Sequence, residues 1–164
     1  MTTKDLGSGQ TQVTVNASDD SAWVHFSFAK GYVKVDDPKT SADWDLGFQR
    51  YLIKSNSGVN GKGNVGVMFV EDNSFEEVTK APKDGYLEDK EDSEDEGSDP
   101  DYGFLVEGAW FAYNVRDHTL TPRKRVYVVR STTGKYYKVA LEGYYDSNGN
   151  SGFPRFKWAE ISPP

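Results

Sequence analysis

The chain reads as an all-β domain, an antiparallel sandwich or curled sheet, and three observations say so. Aromatic residues are 14% of its 164 residues and fall mostly in short alternating runs, the pattern of pleated, half-buried strands. Clusters of Gly, Asn and Asp punctuate those runs at the spacing of turns between short strands. Only residues 74–80 carry a helical or turn suggestion, with Ser74 as N-cap and Glu77 three residues on.

The elements follow in order. Residues 1–11, rich in Gly, Ser and Thr without periodicity, are expected to be a flexible leader to a single domain spanning 12–164. Gln12–Asn16 alternates as a first strand, and Asn16–Asp20 is a turn cluster. Trp23–Phe28 places Val24, Phe26 and Phe28 on one face and Trp23, His25 and Ser27 on the other, with Gly31–Val35 as hairpin partner. Trp44–Ile53 is the densest strand signal of the first half, and its broken period suggests a bulge near Gly47. A glycine-rich loop, Asn56–Asn64, leads into Val65–Val70. Residues 87–101 are dominated by Asp and Glu, which repel one another and offer little to bury, so they are expected to form an acidic mobile insertion. Strand-rich Tyr102–Val115, the turn Asp117–Pro122, the strands Arg125–Arg130 and Lys135–Leu141, the hairpin loop Asp146–Gly152 and the closing strand Arg155–Ile161 complete the chain.

Composition narrows the function. A formal net charge of -7 argues against a nucleic-acid partner, which needs a basic face to displace counterions from phosphate. With no cysteine, thiolate nucleophiles, disulfides and zinc–thiolate or iron–sulfur sites are excluded. No run of about 18 apolar residues exists to span a bilayer.

The motifs offer little catalytic chemistry, so no enzyme is expected. His25 and His118 lie too far apart to give metal-ligand spacing. His25 sits in an aromatic strand and reads as structural; His118 sits in a polar turn. Asp45 is expected to pair with a nearby arginine. Gly61-Lys-Gly63-Asn-Val-Gly66 matches the dinucleotide-binding glycine pattern. Without a strand before and a helix after, it reads as a hairpin loop whose glycines permit positive φ. Asp146-Ser-Asn148-Gly-Asn150 opens like a calcium loop, but Lys157 stands where the closing carboxylate belongs, so it reads as a turn and no metal site is assigned. What remains is a surface of aromatic platforms for planar ligands or sugars, with Trp110, Phe111, Tyr113, Tyr136, Tyr137, Tyr144 and Tyr145 as candidates. Alternation sends one member of each tyrosine pair outward.

Trp23-Val-His-Phe-Ser-Phe28, Trp44-Asp-Leu-Gly-Phe-Gln-Arg50, Ser55-Asn-Ser-Gly-Val-Asn-Gly-Lys-Gly63, Ala81-Pro-Lys-Asp-Gly-Tyr86, Arg125-Val-Tyr-Val-Val-Arg130 and Tyr136-Tyr-Lys-Val139 follow one another in an order that resembles the HmuY family of bacterial haem-binding surface lipoproteins. The resemblance spans residues 12–161, and its most specific part is the Trp-Asp-x-x-x-x-Arg strand followed by Asn-x-Gly-x-x-Gly-x-Gly. It implies an all-β fold, an extracytoplasmic, outer-membrane-anchored or secreted location, and capture of haem or a related porphyrin in iron acquisition, without catalysis. It also implies two axial His or Met ligands, one before the Trp110 strand and one just after it. This sequence departs there: residues 87–106 contain no His or Met. The haem-ligand candidates it offers instead are His118, Tyr113 and Tyr102, tyrosine being a known axial ligand type. The alternative is a surface module that binds a host protein or glycan through exposed aromatics, haem binding having been lost.

Overall fold

A computed structural model describes residues 1–93, 97 and 99–164. Its strands are β1 (Thr2–Gly7), β2 (Gln10–Thr14), β3 (Val24–Ser27), β4 (Gly31–Val33), β5 (Leu46–Gln49), β6 (Leu52–Ser55), β7 (Gly66–Val70), β8 (Phe111–Tyr113), β9 (Leu120–Pro122), β10 (Val126–Arg130), β11 (Tyr136–Tyr145) and β12 (Ser151–Ile161). All strand pairings are antiparallel. They build a six-stranded sheet in the order β1-β2-β12-β11-β10-β7, a four-stranded sheet in the order β4-β3-β5-β6, and the separate hairpin β8-β9. The chain is an all-β protein.

The two larger sheets meet through aromatic rings. Phe48 stacks on Phe156 at 5.5 Å between centroids, Phe26 meets Phe156 edge-on, and Phe28 stacks on Tyr137 at 4.2 Å. Alternation along β10 serves two cores at once. Tyr127 and Val129 enter the core between the sheets, while Val126 and Val128 enter a second cluster with Phe75, Val78 and Ile161. That cluster covers the outer face of the six-stranded sheet, so segment 72–86 packs as a layer although it contains no regular element.

Several expectations are corrected by this architecture. Residues 2–7, expected within a flexible leader, pair antiparallel with β2, with a register shift between Asp5 and Gly7. Every β1 residue is exposed, so the strand is held by backbone hydrogen bonds and leaves no apolar period to read. Residues 44–53 form two strands instead of one bulged strand. The chain reverses at Arg50, whose φ is +53°, and Gly47 sits in regular register opposite Lys54. A side chain at Gly47 would run into Lys54, which explains the residue without a bulge. Ser74 and Glu77 do make reciprocal capping bonds, but they close a turn and no helix follows. Residues 103–108 are turns, β8 is only three residues long, and β9 lies inside the expected 117–122 turn.

The glycine-rich loop also works differently from its sequence reading. Gly61, Gly63 and Gly66 do not have positive φ; Gly58 and Asn64 do. Gly61 and Gly63 are required because a side chain at either would overlap Asn56. The buried Asn56 amide donates to the Ser41 and Trp44 carbonyls, both at 2.9 Å, and its oxygen accepts from Gly63 N at 3.0 Å. Asp45 pairs with no arginine. It is buried and accepts from the backbone N–H groups of Phe28 and Thr132, each at 2.8 Å, and from the Thr132 hydroxyl. Arg50 turns instead to Ser18 O, Ser151 O and Ser151 Oγ.

The acidic stretch is anchored at its flanks. Leu87 bridges Val67 through two backbone hydrogen bonds. Asp89 is buried, and its carboxylate accepts from Ser55 N at 2.6 Å, Asn60 Nδ2 at 2.9 Å and Gly103 N at 2.9 Å. Burial nevertheless raises its pKa to about 6, against the lowering effect of those N–H donors. The expected mobile insertion includes Glu94, Asp95, Glu96 and Ser98, which lie outside the described residues.

Candidate binding cleft

The candidate site is built on the β8-β9 hairpin. Trp110 fixes its base: the indole is fully buried and donates from Nε1 to Tyr51 O at 2.9 Å, while Trp110 O accepts from Arg123 N at 2.8 Å. With Trp110 inward, Phe111 and Tyr113 emerge on the same face two residues apart. Across the hairpin, Leu120 pairs with Tyr113, and Leu120 N donates to the Tyr145 hydroxyl at 2.8 Å. This last bond ties the hairpin to the end of β11.

The connecting turn is ordered by its own polar groups. Asn114 N donates to Thr119 O and His118 N to Asn114 O, while Asp117 accepts from the Thr119 backbone and hydroxyl. Those Thr119 hydrogen bonds hold the Asp117 carboxyl below its ordinary range. His118 closes the turn with a φ of +60°, in the left-handed region that non-glycine residues adopt uncommonly. The consequence is a contact five residues back: Tyr113 Oη lies 2.5 Å from His118 Nδ1. With the imidazole proton on Nε2, the phenol donates to Nδ1. Tyr113 is 52% exposed, so the pair meets solvent.

A cleft of about 710 Å³ opens beside this pair, with Tyr51, Phe111, Leu120 and Tyr145 among its lining residues. Tyr51 packs edge-on against Phe111 at 5.5 Å and donates its hydroxyl to Asp99 at 2.8 Å. Burial and then that carboxylate push the Tyr51 phenol up to about 12, so it is held protonated. Arg50 supplies a cationic side chain to the lining. A groove of about 700 Å³ lies elsewhere, bordered by Arg123, Lys124, Arg125 and Lys157, but no Tyr, His or Met lines it. Among the described residues, no group of three or more His, Cys, Asp and Glu side chains could hold a metal ion by itself.

The sequence candidates separate cleanly. Tyr113 and His118 come together at the cleft. Tyr102 does not: it packs against the central core beside Asn60 and Asp89. Trp110, Tyr137 and Tyr144 are buried and cannot serve as exposed platforms, although Tyr144 does line the cleft. The strand face that supplies the inter-sheet core takes them. Tyr136 lies beside Tyr86 over the second cluster, and Tyr145 reaches the cleft. Sequence reasoning does not reach Tyr51 or Leu120, whose part in the site depends on the Arg50 reversal and on β9. His25 is buried edge-on to Trp44 with Nε2 unpartnered. Burial, then the Lys54 charge, lower its pKa to about 4, so it is a neutral ring of the scaffold.

An all-β sandwich carrying an aromatic, ligand-sized cleft under a projecting hairpin defines a class of binding proteins. Within that class the chain belongs to the HmuY protein family, whose sequence model matches residues 19–158. Its fold is similar to that of a protein from Bacteroides vulgatus described as HmuY-like and heme-binding, with a TM-score of 0.67, 20% identity and coverage of 96% of this chain and 94% of the other. It is similar as well to an apo HmuY analog from Tannerella forsythia, with a TM-score of 0.68, 15% identity and coverage of 93% and 95%. A protein described as a lipoprotein from Bacteroides fragilis aligns with a TM-score of 0.67, 19% identity and coverage of 99% and 96%. No curated protein matches the chain in sequence.

Proposed function

We propose that this chain is a non-enzymatic haem- or porphyrin-binding protein whose ligand enters the cleft beneath the β8-β9 hairpin. The observation that carries the reading is the meeting of Tyr113 and His118, two exposed groups with iron-ligand chemistry, in the lining of an aromatic cleft. Phe111, Leu120 and Tyr145 offer apolar surface for a planar macrocycle, and Arg50 offers a cation for a carboxylate side chain. The residues therefore fit the group that the family implies, although with donors other than paired His or Met.

The same reading places the protein outside the cytoplasm as an anchored or secreted component of iron acquisition. Fractionation of cells producing the protein from its intact gene tests this: recovery in the membrane or culture medium supports it, and recovery in the cytosol overturns it. Among the described residues, no helix is long and apolar enough to cross a membrane. Binding of a protein or glycan through exposed aromatics is the weaker alternative, because Trp110, Tyr137 and Tyr144 are in the core.

Titration with ferric haem followed by Soret absorption tests the ligand. The expected result is a shifted band saturating at about one equivalent, with Phe111→Ala binding about tenfold or more weakly through lost ring contact. A flat titration overturns the reading.

A further inference from the structure

We propose that Tyr113 ligates ferric iron as a phenolate, with His118 as the positioning residue that takes the phenol proton, so that the cleft discriminates for ferric haem. The inference rests on the haem reading above and specifies its chemistry. Three placements support it. Tyr113 Oη and His118 Nδ1 are 2.5 Å apart, close enough for direct proton transfer. Both side chains line the cleft and are exposed at its edge, where an incoming metal can reach the oxygen. Tyr51, which also lines the cleft, has its hydroxyl committed to a carboxylate, and a carboxylate opposes formation of a second anion beside it.

The proton and electron pairs balance without an outside reactant. With haem bound, the Tyr113 O–H bond would break, its proton would bond to His118 Nδ1, and the phenolate oxygen would donate its electron pair to the iron. Iron stays ferric throughout. The imidazolium so formed stands next to Asp117 in the chain, whose carboxyl is held low chiefly by its hydrogen bonds from Thr119 and to a smaller extent by His118. An anionic oxygen donor favours Fe³⁺ over Fe²⁺ because its hardness and charge match the higher oxidation state. His118 thus acts as the outer-shell partner of a ligand, a role whose removal costs about 10–100-fold in metal affinity.

The test uses the whole chain with three probes: ferric haem, dithionite-reduced haem and metal-free protoporphyrin IX. Resonance Raman spectroscopy on the ferric complex reads phenolate ring modes directly. Wild type is expected to bind ferric haem with a phenolate signature and the other two probes at least tenfold more weakly. Tyr113→Phe loses the signature and its ferric preference. His118→Gly, which tolerates the left-handed turn, weakens ferric binding about 10–100-fold, and His118→Asn, which keeps an acceptor near the Nδ1 position, falls between. Equal binding of all three probes, or a ferric complex without phenolate modes that Tyr113→Phe leaves intact, overturns the ligation while the haem reading stands. Failure of every probe to bind overturns the haem reading itself.

Discussion

Two regions of this molecule use polar atoms under opposite conditions. Around Asp45, Asn56 and Asp89 the polar groups are buried, and most of their partners are backbone N–H and C=O groups. Around Tyr113 and His118 two side chains partner each other at an exposed edge, and their surroundings are aromatic. The first region contains the most specific sequence signature of the chain, Trp44-Asp45 through Gly63, yet its atoms face inward and hold loops together. The second carries the proposed ligand site and has no motif. A signature can therefore identify a scaffold while leaving a candidate site unmarked. The regions are joined through Asp89, which binds Gly103 N, and through the Lys90 N to Asp101 O bond nearby; together these seat the segment that brings Asp99 to Tyr51.

If the polar corner is a structural clamp, Asp89→Ala produces the largest stability loss. Two buried N–H donors, Ser55 N and Gly103 N, and the half-buried Asn60 amide lose their acceptor at about 1–3 kcal/mol for each buried group, so the expected cost is about 3 kcal/mol or more, read by chemical denaturation. A loss below about 1 kcal/mol contradicts the clamp.

The same carboxyl gives the corner a pH dependence. Its folded pKa, raised to about 6, lies above the ordinary 3.8, so the folded protein holds a proton that the unfolded chain has already lost. The linked stability is present below the unfolded pKa and is lost as pH rises through about 6, to the extent of roughly 3 kcal/mol. Unfolding free energies at pH 4 and pH 7 should therefore show wild type losing stability relative to Asp89→Asn, and a parallel pH response of the two proteins would contradict this. Gly61→Ala, which drives a methyl group into Asn56, is expected to cost about 1–3 kcal/mol by the same denaturation measurement.

The cleft should behave in reverse. Tyr113→Phe removes a hydroxyl at a half-exposed site, and its stability should change by less than about 0.5 kcal/mol, while ferric haem binding falls sharply. A mutation that is silent in denaturation and severe in titration would sharpen the contrast between the regions. A Tyr113 variant that unfolds would break it.

Much of the fold was legible because alternation is a local signal. Val24, Phe26 and Phe28 on one face, and the Arg125–Arg130 strand, follow from period two alone. Where burial does not alternate, the signal fails. The exposed β1 gave none, and Trp44–Ile53 looked like one strand because apolar residues run on both sides of the Arg50 reversal. The site was half legible. Tyr113 and His118 could be named as donors through the family resemblance, but their contact depends on the left-handed φ at His118, which a histidine does not announce. Which tyrosine of each pair faces outward was open, since Tyr137 and Tyr144 were assigned to the core only by the packing of β11 against the facing sheet.

The most direct test of the account is a crystal structure of the protein grown with ferric haem. The account predicts the macrocycle in the cleft between Phe111 and Tyr145, with iron bonded to Tyr113 Oη and His118 still within hydrogen-bond reach of that oxygen. A macrocycle seated on another face, or iron held by a different side chain, would contradict it.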